Sequence, residues 1–315
     1  MNERINRLRT RSLEAQPSLS DERARLLTGF YQSGVARTAP IPVQRAMAFA
    51  AIMENKRIFI GPDELIVGER GPMPKATPTY PEVCVHSRQD LDIIDSREKV
   101  AFTVDDAVRD SYRETIVPFW RGHSIREQLF AHLPDDWKSA YEAGIFTEFQ
   151  EQRSPGHTAC GNKIYHQGML DLKVQIRDAL DRLDFFTDRE AMDKKNQLTA
   201  MAVAADGLMA FARRHADALL QLAESETDPT RKTELMQMAA ICRRVPAHAP
   251  QTFWEELQAY WVVHEGAITA LHPSDAFHTR RLDHHLFPFY EQDPAEGSLT
   301  RERARERLCA IWIKF

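Results

Sequence analysis

The sequence has 315 residues, enough for one large domain or two ordinary ones at roughly 100–200 residues each. Apolar residues make up 43 % and charged residues 28 %, a globular composition with ample core. Forty-one basic against 46 acidic side chains leave a net charge of −5, which excludes a basic nucleic-acid-binding footprint.

The longest apolar run, Ala46–Met53, falls far short of the ~20 residues that cross a bilayer, so no membrane association is expected. Met1–Arg11 sets Ile5 and Leu8 among charges, with no apolar stretch of the kind a secretion signal needs. Cys84, Cys160, Cys242 and Cys309 lie far apart with no CxxC pair, which fits a reducing cytoplasm. Neither GxGxxG nor GxxxxGK[ST] occurs, so the two common phosphate-binding loops are excluded as written.

Most of the chain reads as helix. Ser20 is placed to cap a segment with Ala24, Leu27, Phe30 and Tyr31 on one face, and Pro40–Asn55 repeats Ala46, Phe49, Ile52 and Met53 at helical spacing. Arg57–Gly68 reads instead as two short strands about a Gly-Pro-Asp turn. Between Gly71 and Pro81, Pro72, Pro74, Pro78 and Pro81 exclude helix and predict an extended, irregular stretch, long enough to suggest binding or packing.

Helical signals return at Asp105–Val117, at the capping pattern Ser124-x-x-Glu127, and at Trp137–Glu148. Pro155-Gly156 then forces a turn. Thr187-x-x-Glu190 is expected to open a long helix carrying Leu198, Met201, Ala205, Leu208, Ala212 and Leu219. Asp228-Pro229 starts another, with Leu235, Met238 and Cys242 inward, broken by Pro246 and Pro250. Thr252-x-x-Glu255 caps an aromatic-rich helix (Phe253, Trp254, Tyr260, Trp261). Thr300–Phe315 is amphipathic, with Leu308, Ile311, Trp312 and Phe315 on one side, and reads as a chain cut inside a structural element. No internal repeat or low-complexity linker appears, so residues 1–315 are expected to form one continuous unit.

Five histidines, His264, His272, His278, His284 and His285, crowd the C-terminal third. They lack the second histidine of HExxH and any 2-His-1-carboxylate spacing, so surface and capping roles are expected and no metal site. Arg153-Ser-Pro-Gly-His157-Thr158 is the stronger candidate: a cation, a forced turn and an imidazole within five residues suit an anionic or hydroxylated ligand. The alternative is a turn whose histidine bonds the backbone. Asp275 suits either a substrate hydroxyl or ammonium, or the cap of the following turn. Lys75 and Arg70 are placed to meet an anion, or simply to be solvated. Cys84 and Cys160 read as small apolar residues rather than nucleophiles, since His157 is too near Cys160 along the turn to serve as its base.

Ten segments, in order, resemble glycyl radical enzymes of the pyruvate formate-lyase superfamily. They begin with Arg7-Leu-Arg-x-x-Ser12-Leu13, Pro17-x-Leu-Ser-x-Glu-Arg-Ala24, Asp63-Glu-Leu-Ile-Val-Gly-Glu-Arg-Gly-Pro72 and Pro78-Thr-Tyr-Pro-Glu82. Pro118-Phe-Trp-Arg-Gly122, Gln152-Arg-Ser-Pro-Gly-His-Thr158, Gly168-Met-Leu-Asp-Leu-Lys173 and Val245-Pro-Ala-His-Ala-Pro250 follow. Arg281-Leu-Asp-His-His-Leu-Phe-Pro-Phe-Tyr290 and Trp312-Ile-Lys-Phe315 complete the match. The pattern is similar to the diol-dehydratase and hydroxyproline-dehydratase-like branch rather than to pyruvate formate-lyase proper.

The resemblance implies a helix-rich α/β fold, the N-terminal part of a ten-stranded α/β barrel, in a cytoplasmic homodimer. It implies a glycyl radical, installed by an iron–sulfur and S-adenosylmethionine activating enzyme, that oxidises a cysteine; the thiyl radical then abstracts hydrogen from a small-molecule substrate. Neither the radical glycine loop nor the radical cysteine is recognised in these 315 residues, so the chain alone is expected to be inactive. By the same resemblance, His157 bonds the substrate, Phe149 lies beside it, Arg153 sits in the same turn and Asp275 faces the cavity. One departure stands out: the glutamate that hydroxyproline dehydratases place near 205 is here Ala205, followed by Asp206. The expected activity of the full-length form is a radical C–O lyase on a diol or hydroxyproline-type metabolite. A C–S lyase of isethionate type, a formate acetyltransferase-like acyltransferase, and a non-catalytic helical scaffold or dimerisation fragment are the alternatives.

Overall fold

The computed structural model describes residues 2–146, 160–270, 281–292 and 299–315. Fourteen helices and two three-residue strands follow one another among them. Asn2 caps α1 (Glu3–Glu14) by accepting the Ile5 N–H. β1 (Ser18–Ser20) leads into α2 (Glu22–Gln32), whose N-cap is Asp21; Ser20, the expected cap, accepts the Glu22 N–H. Pro40 precedes α3 (Ile41–Asn55), with Ala46, Ile52 and Met53 buried as expected.

The strands lie elsewhere than the sequence suggests. Residues 57–68 form no strand; the pairing is parallel between β1 and β2 (Ala76–Pro78), inside the proline-rich stretch, with Ser18 opposite Ala76 and Ser20 opposite Pro78. Proline is tolerated here because Pro78 lies on β2, which pairs with no strand but β1 among the described residues, whereas β1 also bridges to Thr103 on its other side.

α4 (Arg88–Ser96) begins in a reciprocal Ser87–Asp90 capping box. α5 (Asp106–Ser111) widens into a π-helical turn at Tyr112–Ile116 before α6 (Val117–Trp120). Pro118 explains the interruption, since its ring and missing N–H cannot continue a regular ladder. Ser124 caps α7 (Ile125–His132), but the Glu127 carboxylate returns to the Gly122 N–H and the Ser124 hydroxyl, so the box is incomplete. α8 (Asp135–Glu142) stops earlier than predicted because Gly144, at φ 73°, turns the chain into the left-handed region.

α9 (Met169–Asp181) and the 35-residue α10 (Ala191–Ser225) form a helical hairpin. Thr187 does not cap α10; its hydroxyl bonds Asp184 and the helix starts at Ala191. Ala205, Ala212 and Leu219 are buried as predicted, whereas Met201 is exposed. α10 crosses α3 where a Cβ on Gly207 would lie 2.9 Å from Ala50 Cα, so only glycine lets the two helices approach this closely. Asp228 caps α11 (Pro229–Arg244), with Leu235, Met238 and Cys242 inward. α12 (Phe253–Ala270), α13 (Leu282–Gln292) and α14 (Arg301–Trp312, capped by Thr300) complete the set.

The largest apolar cluster gathers α10, α11, α12 and α14 around Leu65–Val67, and a second joins α2 and α3 to Leu91, Val108 and Trp120. No helix among the described residues is long and apolar enough to cross a membrane.

Candidate functional site

α12 is the structural axis of the site. Every residue from Phe253 to Gly266 is buried, an arrangement typical of a central helix rather than a surface one. One row, Trp254, Gln258, Trp261 and Glu265, faces the extended segment that follows Glu64. Trp254 Nε1 donates to Leu65 O at 2.7 Å, and Trp261 Nε1 to Gly68 O at 3.0 Å. Gln258 accepts the Val67 N–H at 2.9 Å and donates to Val67 O at 2.8 Å. Leu65, Ile66 and Val67 have the apolar, β-prone sequence of a strand. Their backbone is satisfied by helix side chains instead of a neighbouring strand, which is why the predicted strand is absent.

Behind this row lies a buried charge network. Lys56, 3 % exposed, donates to the Glu69 and Arg70 carbonyls at 2.9 and 3.1 Å, and burial lowers its pKa. Lys314 binds Glu69 at 2.7 Å, Glu64 at 3.1 Å and Gly68 O at 3.2 Å. Burial pushes Glu265 up to about 7, against the opposing pull of Lys56.

A second row, Glu256, Tyr260 and His264, runs along another side of α12 at four-residue intervals. Glu256 is 0 % exposed, neither carboxyl oxygen meets a hydrogen-bond donor among the described residues, and burial raises it to about 9. It is therefore a neutral acid at physiological pH. Burial lowers His264 to about 4, so its imidazole is neutral; it stacks on Trp261 and Tyr260, with the Tyr260 hydroxyl 3.4 Å from Nδ1. Tyr165 packs beside this row and stacks on His285 at 4.5 Å between ring centroids.

The C-terminal end of α12 is held by distant residues. Arg23, 6 % exposed, donates to Thr269 O at 2.7 Å and Thr79 O at 3.3 Å, pairs with both oxygens of Glu82, and lies over the Tyr80 ring. Tyr80 Oη donates to Ile268 O at 2.5 Å. Carbonyls in the last turn of a helix have no intrahelical donor, so these two side chains cap it.

The predicted ligand-binding residues Phe149, Arg153, His157 and Asp275 lie outside the described residues, as do His272 and His278. What is described is what flanks them. Residues 160–165, which follow His157 closely in the sequence, end on the buried Tyr165 beside α12, and Ala270 ends the helix five residues before Asp275. His284 and His285 sit on α13, and no group of three metal-ligating side chains occurs among the described residues. Cys84 is half-buried and Cys160 exposed, while burial pushes the Cys242 thiol up to about 12. Asp206 is held by Lys173 of α9 at 2.6 Å, and Ala205 is buried. The sequence reading missed Glu256 and Glu265. Their signal was two acids at inward positions of an otherwise apolar, aromatic helix.

The family described as pyruvate formate lyase-like matches residues 1–315. A trans-4-hydroxy-L-proline dehydratase from Clostridioides difficile is 45 % identical over 313 residues, covering 99 % of this chain and 40 % of that relative. The crystal structure of hydroxyproline dehydratase from the same organism, with trans-4-hydroxy-L-proline bound, superposes with a TM-score of 0.96 at 44 % identity, covering 100 % of this chain and 40 % of that one. An isethionate sulfite-lyase from Nitratidesulfovibrio vulgaris is 29 % identical over 308 residues, covering 95 % of this chain and 37 % of the relative. The chain thus spans about 40 % of the length of the curated relatives it matches.

Proposed function

The chain belongs to the pyruvate formate lyase-like family, and from that premise we propose that it is the N-terminal part of a glycyl radical lyase that dehydrates a small hydroxylated metabolite. The observation that carries this reading is the 45 % identity to a trans-4-hydroxy-L-proline dehydratase along almost the whole chain. In this reading residues 1–315 are one piece of a single larger catalytic domain, cytoplasmic and homodimeric. A glycyl radical, installed by an S-adenosylmethionine and iron–sulfur activating enzyme, supplies hydrogen abstraction from the substrate.

The present residues bind and orient. His157 holds the leaving hydroxyl and supplies its proton, and Asp275 orients a second polar group. Phe149 excludes water and Arg153 fixes an anionic substituent. Arg23 and Tyr80 support this arrangement by fixing the end of α12, from which the segment bearing Asp275 departs.

A second reading of the substrate rests on α10. Where hydroxyproline dehydratases are expected to carry a glutamate this chain has Ala205, and Asp206 is engaged by Lys173. That favours a hydroxylated substrate with no cationic group at that point, such as a diol. The test is to express the complete reading frame with its activating enzyme under anaerobic conditions. Radical formation by electron paramagnetic resonance should accompany dehydration of trans-4-hydroxy-L-proline or of a diol. Sulfite release from isethionate alone selects the C–S lyase, and no radical in an activated, folded full-length protein overturns the proposal.

A further inference from the structure

Residues 160–165 make a short turn of their own: the Lys163 N–H donates to Cys160 O and the Tyr165 N–H to Asn162 O, each at 3.3 Å. A turn closed this locally owes its place in the fold to the side chains it sends into the core. Those are Ile164 and Tyr165, each 4 % exposed. Tyr165 enters the apolar cluster that holds Leu257 and Tyr260 of α12 and Leu282 and Leu286 of α13. Its ring stacks on His285 of α13, with 4.5 Å between centroids and 22° between planes. Leu282, His285 and Leu286 share one face of α13 at three- and four-residue spacing, whereas His284 is exposed. Tyr290, near the end of α13, packs edge-on against Phe253 at the start of α12.

The two rings join stretches of chain that lead to the two proposed polar ligand contacts. Tyr165 follows His157 by eight residues, and His285 follows Asp275 by ten. At its other end the segment bearing Asp275 leaves Ala270, where Arg23 and Tyr80 hold the last turn of α12. The described residues on either side of that segment are therefore both fixed, one by the cap on α12 and one by the stack on Tyr165. Flat rings with two side-chain torsions each keep the backbones that carry them at a set separation, which a flexible contact does not. Such spacing matters to chemistry, because a displacement of ~1 Å can cost roughly 10²-fold in rate.

We propose that Tyr165 and His285 are a positioning pair of the proposed lyase, the reading on which this inference rests: their stack sets the spacing between the chain that follows His157 and the chain that follows Asp275. The pair acts through His157 and Asp275 and contributes no proton or charge of its own.

His285 is the less buried partner, so it is the one to change. In the activated full-length protein His285→Leu, which keeps bulk without a flat ring, should lower kcat/KM roughly tenfold or more for the substrate the parent turns over, with a melting transition close to the parent's. His285→Phe restores the ring and should restore kcat/KM. Hydrogen exchange adds a readout that needs no turnover. The amides of residues 160–167 should exchange faster in His285→Leu and at the parental rate in His285→Phe, while those of α12 stay unchanged. Should His285→Leu fail to fold, His285→Gln takes its place. Parental kcat/KM in His285→Leu, a melting transition that falls in step with kcat/KM, a loss in His285→Phe as large as in His285→Leu, or unchanged exchange at 160–167 each overturns the positioning role and leaves the lyase reading standing. An activated, folded parent that turns over no substrate overturns the lyase reading, and this role with it.

Discussion

Arg23 and Thr269 are 246 residues apart in sequence and joined by a 2.7 Å hydrogen bond from Nε to the backbone carbonyl. The contact ties α2 to the last turn of α12. A guanidinium suits this place for two reasons: its fork serves several acceptors at once, and its charge opposes the negative end of the helix dipole. Glu82 supplies the countercharge that makes burial of Arg23 tolerable. The result is a fixed exit for the chain entering residues 271–280.

Removing Arg23 should therefore damage more than one contact. Arg23→Met leaves Glu82 without its cation and the Thr269 carbonyl without a donor, a loss of about 3–5 kcal/mol. Arg23→Lys keeps the charge but cannot reach Thr269, Thr79 and Glu82 together, and should recover only part of that loss. Urea unfolding of the two variants checks the order; equal stability of Arg23→Met and the parent protein refutes the role.

Gln258 makes a similarly specific demand. Its amide closes a pair of bonds with the Val67 N–H and C=O, both in the core. Gln258→Leu matches the volume roughly but strands both backbone groups, and should cost about 2–5 kcal/mol. Gln258→Glu retains the acceptor and, once ionised, loses the donor, so its deficit should grow as the pH is raised. Denaturant titrations at two pH values distinguish these outcomes.

The buried titratable groups set a pH optimum for stability. Glu265 and Glu256 have folded-state values raised to about 7 and about 9, above the unfolded carboxyl value, so the native state holds more protons. Their contribution is intact below the unfolded carboxyl value and is lost as pH rises through about 7 and then about 9. His215, buried on α10 with Nδ1 3.0 Å from the Phe211 carbonyl, and His264 are lowered by burial to about 3 and about 4, so the native state holds fewer protons and stability falls as pH drops below the unfolded histidine value. The two effects oppose each other between roughly pH 4.5 and 6.5, where stability should be greatest. Glu256→Gln should flatten the alkaline limb above pH 7, raising the midpoint at pH 9 by several degrees relative to the parent, as calorimetry will read. An unchanged alkaline limb refutes the assignment.

Periodicity made the long helices legible: α3, α10, α11, α12 and α14 follow from apolar spacing and from start signals such as Asp228-Pro229 and Thr252-x-x-Glu255. The strand at residues 57–68 was misread because Leu65-Ile66-Val67 looks identical whether its backbone meets a strand or Gln258. That partner lies 191 residues away and no local pattern announces it. The same holds for Arg23 and Thr269. Motif order made the family legible, now matched over residues 1–315, while the buried acids of α12 were missed. An inward glutamate is read as an error in an apolar stripe until its surroundings are known.

The ligand-binding assignments rest on a separation of turnover from stability. If His157 protonates a leaving hydroxyl, His157→Ala in the activated full-length protein should lower turnover roughly 10²–10⁴-fold. The unfolding midpoint should shift little, since the group removed in this reading acts on the substrate and not on the fold. Asp275→Asn keeps the size and one acceptor but loses the charge, so it should raise the apparent substrate dissociation constant more than it lowers turnover. A histidine that serves only the turn gives a different signature: turnover and folding fall together and both recover in His157→Asn, which retains a side-chain hydrogen bond to backbone. An aspartate that only caps its turn leaves substrate affinity unchanged in Asp275→Asn. Parallel measurement of turnover, affinity and unfolding on the same preparations therefore assigns each residue to the ligand or to the chain.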